Sequence, residues 1–307
     1  FARHGSLLLA ACVARRTHYV DITGETPWVR ELIDRHHEHA KADGTRIIPC
    51  CGFDSVPSDL GAWMLARHFQ AQGEACVEVK ACFSLRGGFN GGTLASALNM
   101  LDSGQSRALA DPWLLNPALV RPPTVPLDDD PVAPHRDADF KAWVGPFFMG
   151  PVNTRVVRRS AALLGYGPDF HYQEYLRFGS GALAAVTAAG VSAGMNASQA
   201  ALRLAPVRAL ARRMAPAPGQ GPSEASMDRG SFRCELVGHG AGGTVARAKV
   251  AASGDPGNRA TTVMVCEAAL ALAKDAGLLP DGQRAGGVLT PASGLGVLLE
   301  KRLRAAG

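Results

Sequence analysis

The stretch CGFDSVPSD, residues 51–59, decides the fold class of this chain. It follows an apolar run, RIIPC at residues 46–50, and leads into a second apolar segment, LGAWML at residues 60–65. A run with β-branched residues, then a Gly/Asp/Ser/Pro turn, then an apolar helical pattern predicts a strand, a turn and a helix. Ligands of doubly wound sheets bind beyond the carboxyl ends of the strands. We therefore expect the chemistry of this protein at this turn.

The preceding residues extend this unit into a parallel sheet. HYVDI at residues 18–22 predicts a strand, and a helix capped by Thr26 is expected to follow it. The helix after the second turn is expected to begin at a Ser58 cap. An α-β-α-β-α order with nearly continuous apolar strands is typical of a parallel sheet covered on both faces. The sequence predicts an α/β fold, with part of a Rossmann-type doubly wound parallel sheet over residues 1–72.

The pattern changes in the rest of the chain. CVEVKACFSL at residues 76–85 alternates over part of its length, which suggests an antiparallel strand with one open face. Residues 112–152 are rich in proline and are predicted to form a long ordered loop. We predict an α+β domain with a mainly antiparallel sheet over residues 73–290, serving substrate binding and dimerisation. A C-terminal helix is expected over residues 291–307.

Composition bounds the function. At 307 residues, of which 47% are hydrophobic, the chain can hold two domains with a core each. A net charge of +5 is mild and suits an anionic small ligand or an anionic membrane surface. No basic stripe with interleaved aromatic residues is present, which argues against a nucleic-acid partner. Seven cysteines without a CxxC pair predict free thiols in a reducing compartment.

GHGAGG, residues 238–243, matches the GxGxxG pattern of dinucleotide-binding loops. That pattern requires a helix directly after it, because the helix-terminal amides bind the pyrophosphate. Residues 244–250 alternate like a strand instead. We therefore predict that these glycines form a hairpin turn.

GVSAG, residues 190–194, keeps a serine hydrolase open as an alternative function. It matches the GxSxG pattern around Ser192, and Asp228 and His239 follow in the order of a hydrolase triad. The pattern needs a strong strand before the serine. The residues before Ser192 form a better small-residue helix than a strand.

Residues 178–202 contain no charged residue and raise a second alternative, a membrane-associated scaffold of the same fold without activity. Their length would span a bilayer, but they are mostly Ala, Gly, Ser and Thr, which supply little transfer energy. A helix over residues 202–214 follows, and it carries Arg203, Arg208, Arg212 and Arg213. Such a helix fits either a membrane surface or a solvated face.

HHEH, residues 36–39, falls on a predicted helix. Histidines three residues apart on a helix can share a metal ion, but no further Cys or His with ligand spacing supports a site. We predict a solvated helix face and no metal ligands here.

Five segments, in their order along the chain, carry a resemblance to a known family: YVDITGE at 19–25, CGFDSVPSD at 51–59, GGT at 91–93, GDPG at 254–257 and GGVLTPA at 286–292. With them the chain resembles the saccharopine dehydrogenase-like oxidoreductases, and among these the trans-acting enoyl reductase branch. The resemblance implies a Rossmann-type NAD(P)-binding domain followed by a domain that closes over the nicotinamide. It also implies reduction of an enoyl C=C bond in a lipid or polyketide-derived intermediate that a separate synthase carries.

The turn at residues 52–55 resembles the turn beside the nicotinamide ring in this family. The implied cofactor is NADP or NAD, and the residues expected to contact it are Thr23, Gly24, Gly52, Phe53 and Asp54. Reduction of a C=C bond also needs a proton donor. Asp54 and Ser55 are the catalytic candidates, and Tyr172 and Tyr175 remain open as donors.

The family's glycine-rich phosphate loop precedes the segments found here. We therefore expect a nucleotide domain that lacks its first strands, and weak NADP(H) binding by the chain that begins at Phe1. The expected location is cytoplasmic, and a peripheral contact with the inner face of the plasma membrane remains open. A homodimer also remains open, as does the choice between NAD and NADP.

Overall fold

The computed structural model describes residues 1–87, 91–102, 104–122, 125–214, 221–282 and 285–307. The α-helices in these ranges are α1 (Gly5–Ala14), α2 (Thr26–Ala42), α3 (Val56–Ala71), α4 (Gly91–Asp102), α5 (Gly150–Leu164), α6 (Ala182–Leu202), α7 (Ala205–Met214), α8 (Glu224–Asp228), α9 (Thr261–Lys274) and α10 (Pro291–Ala306). The strands are β1 (Tyr19–Val20), β2 (Arg46–Ile48), β3 (Cys76–Arg86), β4 (His135–Asp137), β5 (Ala142–Pro146), β6 (His171–Gly179), β7 (Ser231–Gly240), β8 (Val245–Ser253) and β9 (Gly287–Val288).

The first sheet is parallel and has the order β1-β2-β9. Ile47 pairs with Tyr19 on one side and with Val288 on the other, and its side chain is fully buried. The α/β fold class predicted from the sequence is confirmed. The last strand comes from near the end of the chain, so the C-terminal segment completes the sheet that begins near the N-terminus. The division into domains over 1–72, 73–290 and 291–307 stays a prediction.

The second sheet has six strands in the order β4-β5-β6-β3-β7-β8. β3 and β6 are parallel, and the other neighbouring pairs are antiparallel, as predicted for a mainly antiparallel sheet. β3 lies inside this sheet, with a parallel and an antiparallel neighbour. β7 and β8 pair from Ser231 opposite Ser253 to His239 opposite Val245, which confirms the hairpin turn at residues 238–243.

Helix α3 is buried on nearly all sides, because it packs against the six-stranded sheet on one side and against α5 and α10 on the other. Val56, Leu60 and Phe69 are core residues. Gly61 allows the helix to approach β7, since a Cβ atom there would lie 2.7 Å from Cδ2 of Leu236. The helix therefore links the site-forming turn at its start to both sheets.

Two predicted helix caps are wrong. α3 begins at Val56 with Ser55 as its N-cap residue, and the Ser58 hydroxyl instead donates a hydrogen bond to Oε2 of Glu174 at 2.8 Å. α2 begins at Thr26 itself, with Glu25 in the N-cap position. In both cases the polar residue lies within the first turn of the helix and is buried.

Residues 112–152 are not one loop: they include β4, β5 and the start of α5. Buried arginines of α5 hold the non-sheet part of this segment in place. Arg158 donates to the carbonyl oxygen of Pro112 at 3.1 Å, and Arg159 donates to that of Leu115 at 2.5 Å. Backbone carbonyl groups that would otherwise be buried without partners are thereby satisfied.

The uncharged stretch at residues 178–202 forms the end of β6 and helix α6. In the part of the chain that the structure describes, no helix has the length and apolar character needed to cross a bilayer. All seven cysteines are free thiols, as predicted.

The solvated face predicted for residues 36–39 is wrong for His37. Its Nδ1 atom accepts a hydrogen bond from the Val288 amide at 3.1 Å, which joins α2 to β9. Burial lowers the pKa of His37, which favours the neutral ring that this bond requires. Among the described residues no cluster of His, Cys, Asp and Glu is arranged to hold a metal ion.

Candidate active site

The turns that follow β1 and β2 lie side by side at the carboxyl edge of the parallel sheet. The Cys51 amide donates to the carbonyl oxygen of Asp21 at 2.7 Å, which joins the two turns directly. A Cβ atom on Gly24 would lie 3.7 Å from Oδ2 of Asp54. Gly24 and Asp54 are therefore neighbours across the two turns, at the edge where doubly wound sheets bind ligands.

Few residues of these turns, 21–25 and 50–55, keep open surface. Ile22 is 39% exposed, and Gly24 and Asp54 are partly exposed. Thr23, which the resemblance implies in cofactor binding, has a fully buried side chain whose hydroxyl accepts a hydrogen bond from the Glu25 amide at 3.1 Å. We define Ile22, Gly24 and Asp54 as the open rim. Sequence reasoning missed Ile22, whose apolar side chain follows a strand and was counted as part of it.

Gly52 and Phe53 shape the second turn from inside. The Phe53 amide donates to Oγ1 of Thr261 at 3.0 Å, and its ring packs edge-to-face against Phe232 at a centroid distance of 4.9 Å. A Cβ atom on Gly52 would lie 3.1 Å from Cγ2 of Thr261 and 3.3 Å from Cβ of Ile22. Both residues are buried, and their roles in cofactor binding stay a prediction.

The backbone at the end of β2 is strained at Cys50, which has a φ of 62° although it is not glycine. The carboxylate of Asp21 stabilises this conformation. It accepts hydrogen bonds from the amides of Cys50 at 3.2 Å and Thr23 at 2.9 Å, and from the Tyr19 hydroxyl at 2.9 Å. Strained backbone that neighbouring groups hold in place is found preferentially at functional sites. Asp21 thus fixes both turns relative to each other.

Asp54 differs from the other acids of the two turns, Asp21 and Glu25, because it is partly exposed whereas they are buried. Protein surrounds it on most sides, and this burial raises its pKa to about 6. Gly24 is its neighbour across the rim, and the side chains of Met149 and Val152 also lie within 4.0 Å of the position of a Cβ atom on Gly24. A carboxyl group with this pKa is protonated in part near neutral pH, and can donate a proton.

Ser55 lies on the inner side of the turn and begins a buried polar network. Its hydroxyl donates to Oδ1 of Asn153 at 3.3 Å, and Nδ2 of Asn153 donates to Oε1 of Glu174 at 2.7 Å. Glu174 also accepts hydrogen bonds from Ser58 and, at 2.9 Å, from the Tyr172 hydroxyl. All five residues are buried. Burial outweighs these bonds and raises the pKa of Glu174 to about 8.

Sequence reasoning missed Asn153 and Glu174. The available signal for Glu174 was its position between Tyr172 and Leu176 on one face of the strand, since a charged residue on such a face needs buried partners. Of the two tyrosines left open as proton donors, Tyr172 belongs to this network. Tyr175 instead packs edge-to-face against the ring of His135, at a centroid distance of 5.1 Å.

Comparison of the sequence with known proteins finds no family model that matches the chain. A provisionally named trans-acting enoyl reductase of Mycobacterium tuberculosis is 40% identical over 326 residues, and the match covers all of this chain and 76% of that protein. Trans-acting enoyl reductases of Mycobacterium ulcerans and Mycobacterium bovis are each 36% identical, over 329 and 330 residues, with 77% of each covered. The chain belongs to the trans-acting enoyl reductase family. The open rim is therefore the candidate active site of a trans-acting enoyl reductase.

The hydrolase alternative is wrong for this member of the trans-acting enoyl reductase family. Ser192 lies in the middle of helix α6 and not at a turn between a strand and a helix. His239 bonds to Asp139 at 3.1 Å, and Asp228 pairs with Arg259 at 2.9 Å. His239 and Asp228 thus have separate partners, and the Ser192 hydroxyl has no hydrogen-bond partner among the described residues, whereas a nucleophile and its base must lie within hydrogen-bond reach of each other.

Two surface cavities of this enoyl reductase family member lie away from the open rim. One, of about 430 Å³, is lined by Trp63, Tyr166 and Leu298 among others, and one, of about 530 Å³, includes Trp113 and Arg158. Neither is lined by a residue of the two turns. The candidate active site is therefore defined by the edge of the sheet and the partly exposed Asp54, and not by these two cavities.

Proposed function

We propose that this chain reduces an enoyl C=C bond with a hydride from NAD(P)H, and that the reaction takes place at the open rim. One observation carries the proposal: among the ionisable residues of 21–25 and 50–55, Asp54 is the one that is not buried. It lies at the edge where an α/β sheet binds its ligand. The relatives' names support enoyl reduction, and the resemblance of the turn supports a saccharopine dehydrogenase-like enzyme.

The rim fits the ring of a nicotinamide better than it fits a phosphate. Ile22 offers an apolar side chain, Gly24 an open backbone, and Asp54 a carboxyl group. None of residues 21–25 and 50–55 is Lys or Arg, so these turns offer no positive side chain to a phosphate. A flat ring with one hydrogen-bonding group is what such a surface accommodates. We propose NADP or NAD as the cofactor whose ring lies here.

The reduction adds one hydride and one proton across the double bond. A bound reduced nicotinamide supplies the hydride to one carbon of the C=C bond. The negative charge that forms on the neighbouring carbon and its carbonyl group then requires a proton. Asp54 donates that proton from its carboxyl group, whose pKa burial raises to about 6. The carboxylate left behind regains a proton from water through its open side.

We propose a lipid-like or polyketide-derived acyl chain as the substrate, carried by a separate synthase in the cytoplasm. The names of the relatives contain the words trans-acting, which supports a substrate presented by another protein. An open rim supports the same idea, because an enclosed cavity would exclude a carrier-bound acyl chain. Ile22 at the rim provides apolar contact for such a chain.

The test is oxidation of NADPH and of NADH by the purified chain with an α,β-unsaturated acyl thioester, followed by mass analysis of the product. A product heavier by two hydrogen atoms is expected. The diagnostic variant is Gly24→Val, because a Cβ atom at Gly24 meets only ordinary contacts of 3.7–4.0 Å and the added methyl groups would cover the rim. Gly277→Val is the matched control, since Gly277 is exposed and has nothing within 4 Å of its Cβ position.

Gly24→Val should lower the rate at least about tenfold with an unchanged melting temperature, and Gly277→Val should leave both unchanged. Equal rates for the wild type and Gly24→Val would show that the reaction does not use the rim. Because weak nucleotide binding is expected, the rate is measured at increasing concentrations of each nucleotide. Absence of any reduced product at the highest concentration of both nucleotides would contradict the proposed activity of this chain.

A further inference from the structure

We propose that helices α6 and α7 form a contact surface for an anionic membrane. The surface is defined by the exposed apolar residues Leu183, Val186, Leu204, Leu210 and Met214, together with Arg203 and Arg213; we call it the basic-apolar surface. The proposal is independent of the reductase activity, because none of these residues belongs to the turns of the open rim.

Helix α6 packs on the six-stranded sheet by one face only. Ala188 and Ser192 are its buried residues, and the Ser192 hydroxyl lies 2.9 Å from the position of a Cβ atom on Gly145 in β5. With 3.6 residues per turn, Leu183 and Val186 fall on the opposite face. They are 79% and 69% exposed. The apolar side chains of α6 therefore point away from the core.

Helix α7 is fixed by ion pairs on its inner side. Arg208 and Arg212 both pair with Asp102 at the end of α4. This contact leaves Leu210 and Met214, four residues apart, 57% and 78% exposed. Two large apolar side chains exposed on one flank of a helix favour burial against something else.

All charged residues in helices α6 and α7 and between them are basic. Residues 175–223 contain five arginines and no Asp, Glu or Lys. Arg177 pairs with Glu235, while Arg203 and Arg213 have no acidic partner among the described residues. Both are exposed. Exposed apolar side chains beside unpaired arginines are the combination that binds the headgroup region of anionic lipids.

The positive charge of this region argues against a second copy of the chain as the molecule that covers the basic-apolar surface. A symmetric dimer through α6 and α7 would bring the arginines of both copies close together, and like charges at an interface oppose association. An anionic bilayer meets the same arginines with phosphate groups. Since no described helix can cross a bilayer, the contact is with the membrane surface. The exposed leucines and the methionine would then enter the boundary between headgroups and acyl chains.

The experiment is co-sedimentation of the full chain with vesicles of phosphatidylcholine alone and of phosphatidylcholine with phosphatidylglycerol. Binding is expected only with the anionic vesicles, and it should weaken as salt increases. Arg203→Gln with Arg213→Gln should lower the partition coefficient about thirtyfold, since each basic side chain near such a surface contributes on the order of a factor of five. Leu210→Glu with Met214→Glu should lower it at least as much.

The matched control is Leu119→Glu with Leu278→Glu. These leucines are 99% and 70% exposed but lie outside α6 and α7, so their replacement should not change binding. Thermal melting of every variant separates loss of binding from loss of fold. Failure of the wild type to sediment with anionic vesicles would overturn the proposal. So would equal losses in both double glutamate variants, or a wild-type dimer in solution that Leu210→Glu with Met214→Glu dissociates.

Discussion

Two aspartates of one motif, Asp54 and Asp59, lie five residues apart and have opposite surroundings. Asp54 keeps open surface at the rim, whereas Asp59 is fully buried in the first turn of α3. Asp59 accepts hydrogen bonds from the Ser160 hydroxyl and, at 2.8 Å, from the Ala292 amide. It thereby joins α3 to α5 and α10. Burial raises the pKa of Asp54 to about 6 and that of Asp59 to about 7.

The comparison shows that a raised pKa does not by itself identify a catalytic acid. Both carboxyl groups are shifted by burial, and the one with the higher pKa is the one that no substrate can reach. Structural networks perturb pKa values as active sites do. Exposure separates the two residues, and on this ground we propose a chemical role for the partly exposed Asp54 and a structural role for the buried Asp59.

The largest expected effect is on the rate of enoyl reduction by Asp54→Asn. Asparagine keeps the shape of the side chain but has no acidic proton, so we expect a decrease of about a thousandfold, within the usual range for loss of a general acid. The melting temperature should not change. Asp59→Asn is the matched control and should have the reverse effect, a lower melting temperature and nearly full activity per folded molecule. If both variants lose activity equally, the assignment of the two residues is wrong.

The second largest expected effect is a loss of folding stability in the variant Asp59→Ala. Asp59→Ala leaves the Ser160 hydroxyl and the Ala292 amide without their partner, and we expect a loss on the order of 3 kcal/mol in the free energy of unfolding at pH 5. In the wild type the pKa of Asp59 is raised to about 7 from an ordinary value of 3.8. Its contribution is therefore fully present below about pH 3.8 and is lost as the pH rises through about 7.

Urea denaturation of both proteins at several pH values measures this difference. The gap between the wild type and Asp59→Ala should be widest below about pH 3.8, should narrow as the pH rises from about 3.8 to about 7, and should stay nearly constant above that. A gap that widens towards alkaline pH would mean that Asp59 is stabilised as the carboxylate, and that its hydrogen bonds outweigh its burial.

A smaller effect is expected for the pH dependence of the enoyl reduction rate, which should change about tenfold per pH unit. Donation by Asp54 requires its protonated form, so the reduction rate should fall as the pH rises through about 6. Asp54→Asn should retain a low rate without this decline. Rates measured under single-turnover conditions, at saturating thioester and nucleotide, test the point. A wild-type rate that stays constant between pH 5 and 8 would exclude Asp54 as the donor in the rate-limiting step.

Sequence and structure agree where local pattern determines the outcome. The turn at residues 51–59 and the strand before it were predictable because residue types alone define a strand, a turn and a helix. The inward position of Asp59 could also be inferred from the sequence. Asp59 shares one helical face with Val56, Leu60 and Trp63, and these three residues are apolar. The contrast between the two aspartates was therefore partly visible in the sequence.

The remaining features depend on contacts between distant parts of the chain. Asp59 contacts Ser160 and Ala292, and Ser55 reaches Glu174 through Asn153. No local spacing indicates such partners, which lie about a hundred or more residues away along the chain. The cap predicted at Ser58 was wrong for the same reason, because the buried carboxyl group of Glu174 takes the hydrogen bond of its hydroxyl. The cap predicted at Thr26 was wrong without such a partner: Thr26 lies inside α2, and its hydroxyl has no hydrogen-bond partner among the described residues.

The smallest effect is expected for Ser55, the second catalytic candidate, and it sharpens the comparison within the turn itself. Its hydroxyl is fully buried and already donates to Asn153, so it has no free proton for a substrate. Ser55→Ala should lower the free energy of unfolding by about 1 kcal/mol and the rate only a few fold. Ser58→Ala is the matched control, since Ser58 is equally buried and donates to Glu174 in the same network. A rate loss for Ser55→Ala as large as that for Asp54→Asn, with stability unchanged, would transfer the proton donor from the open rim to the buried network.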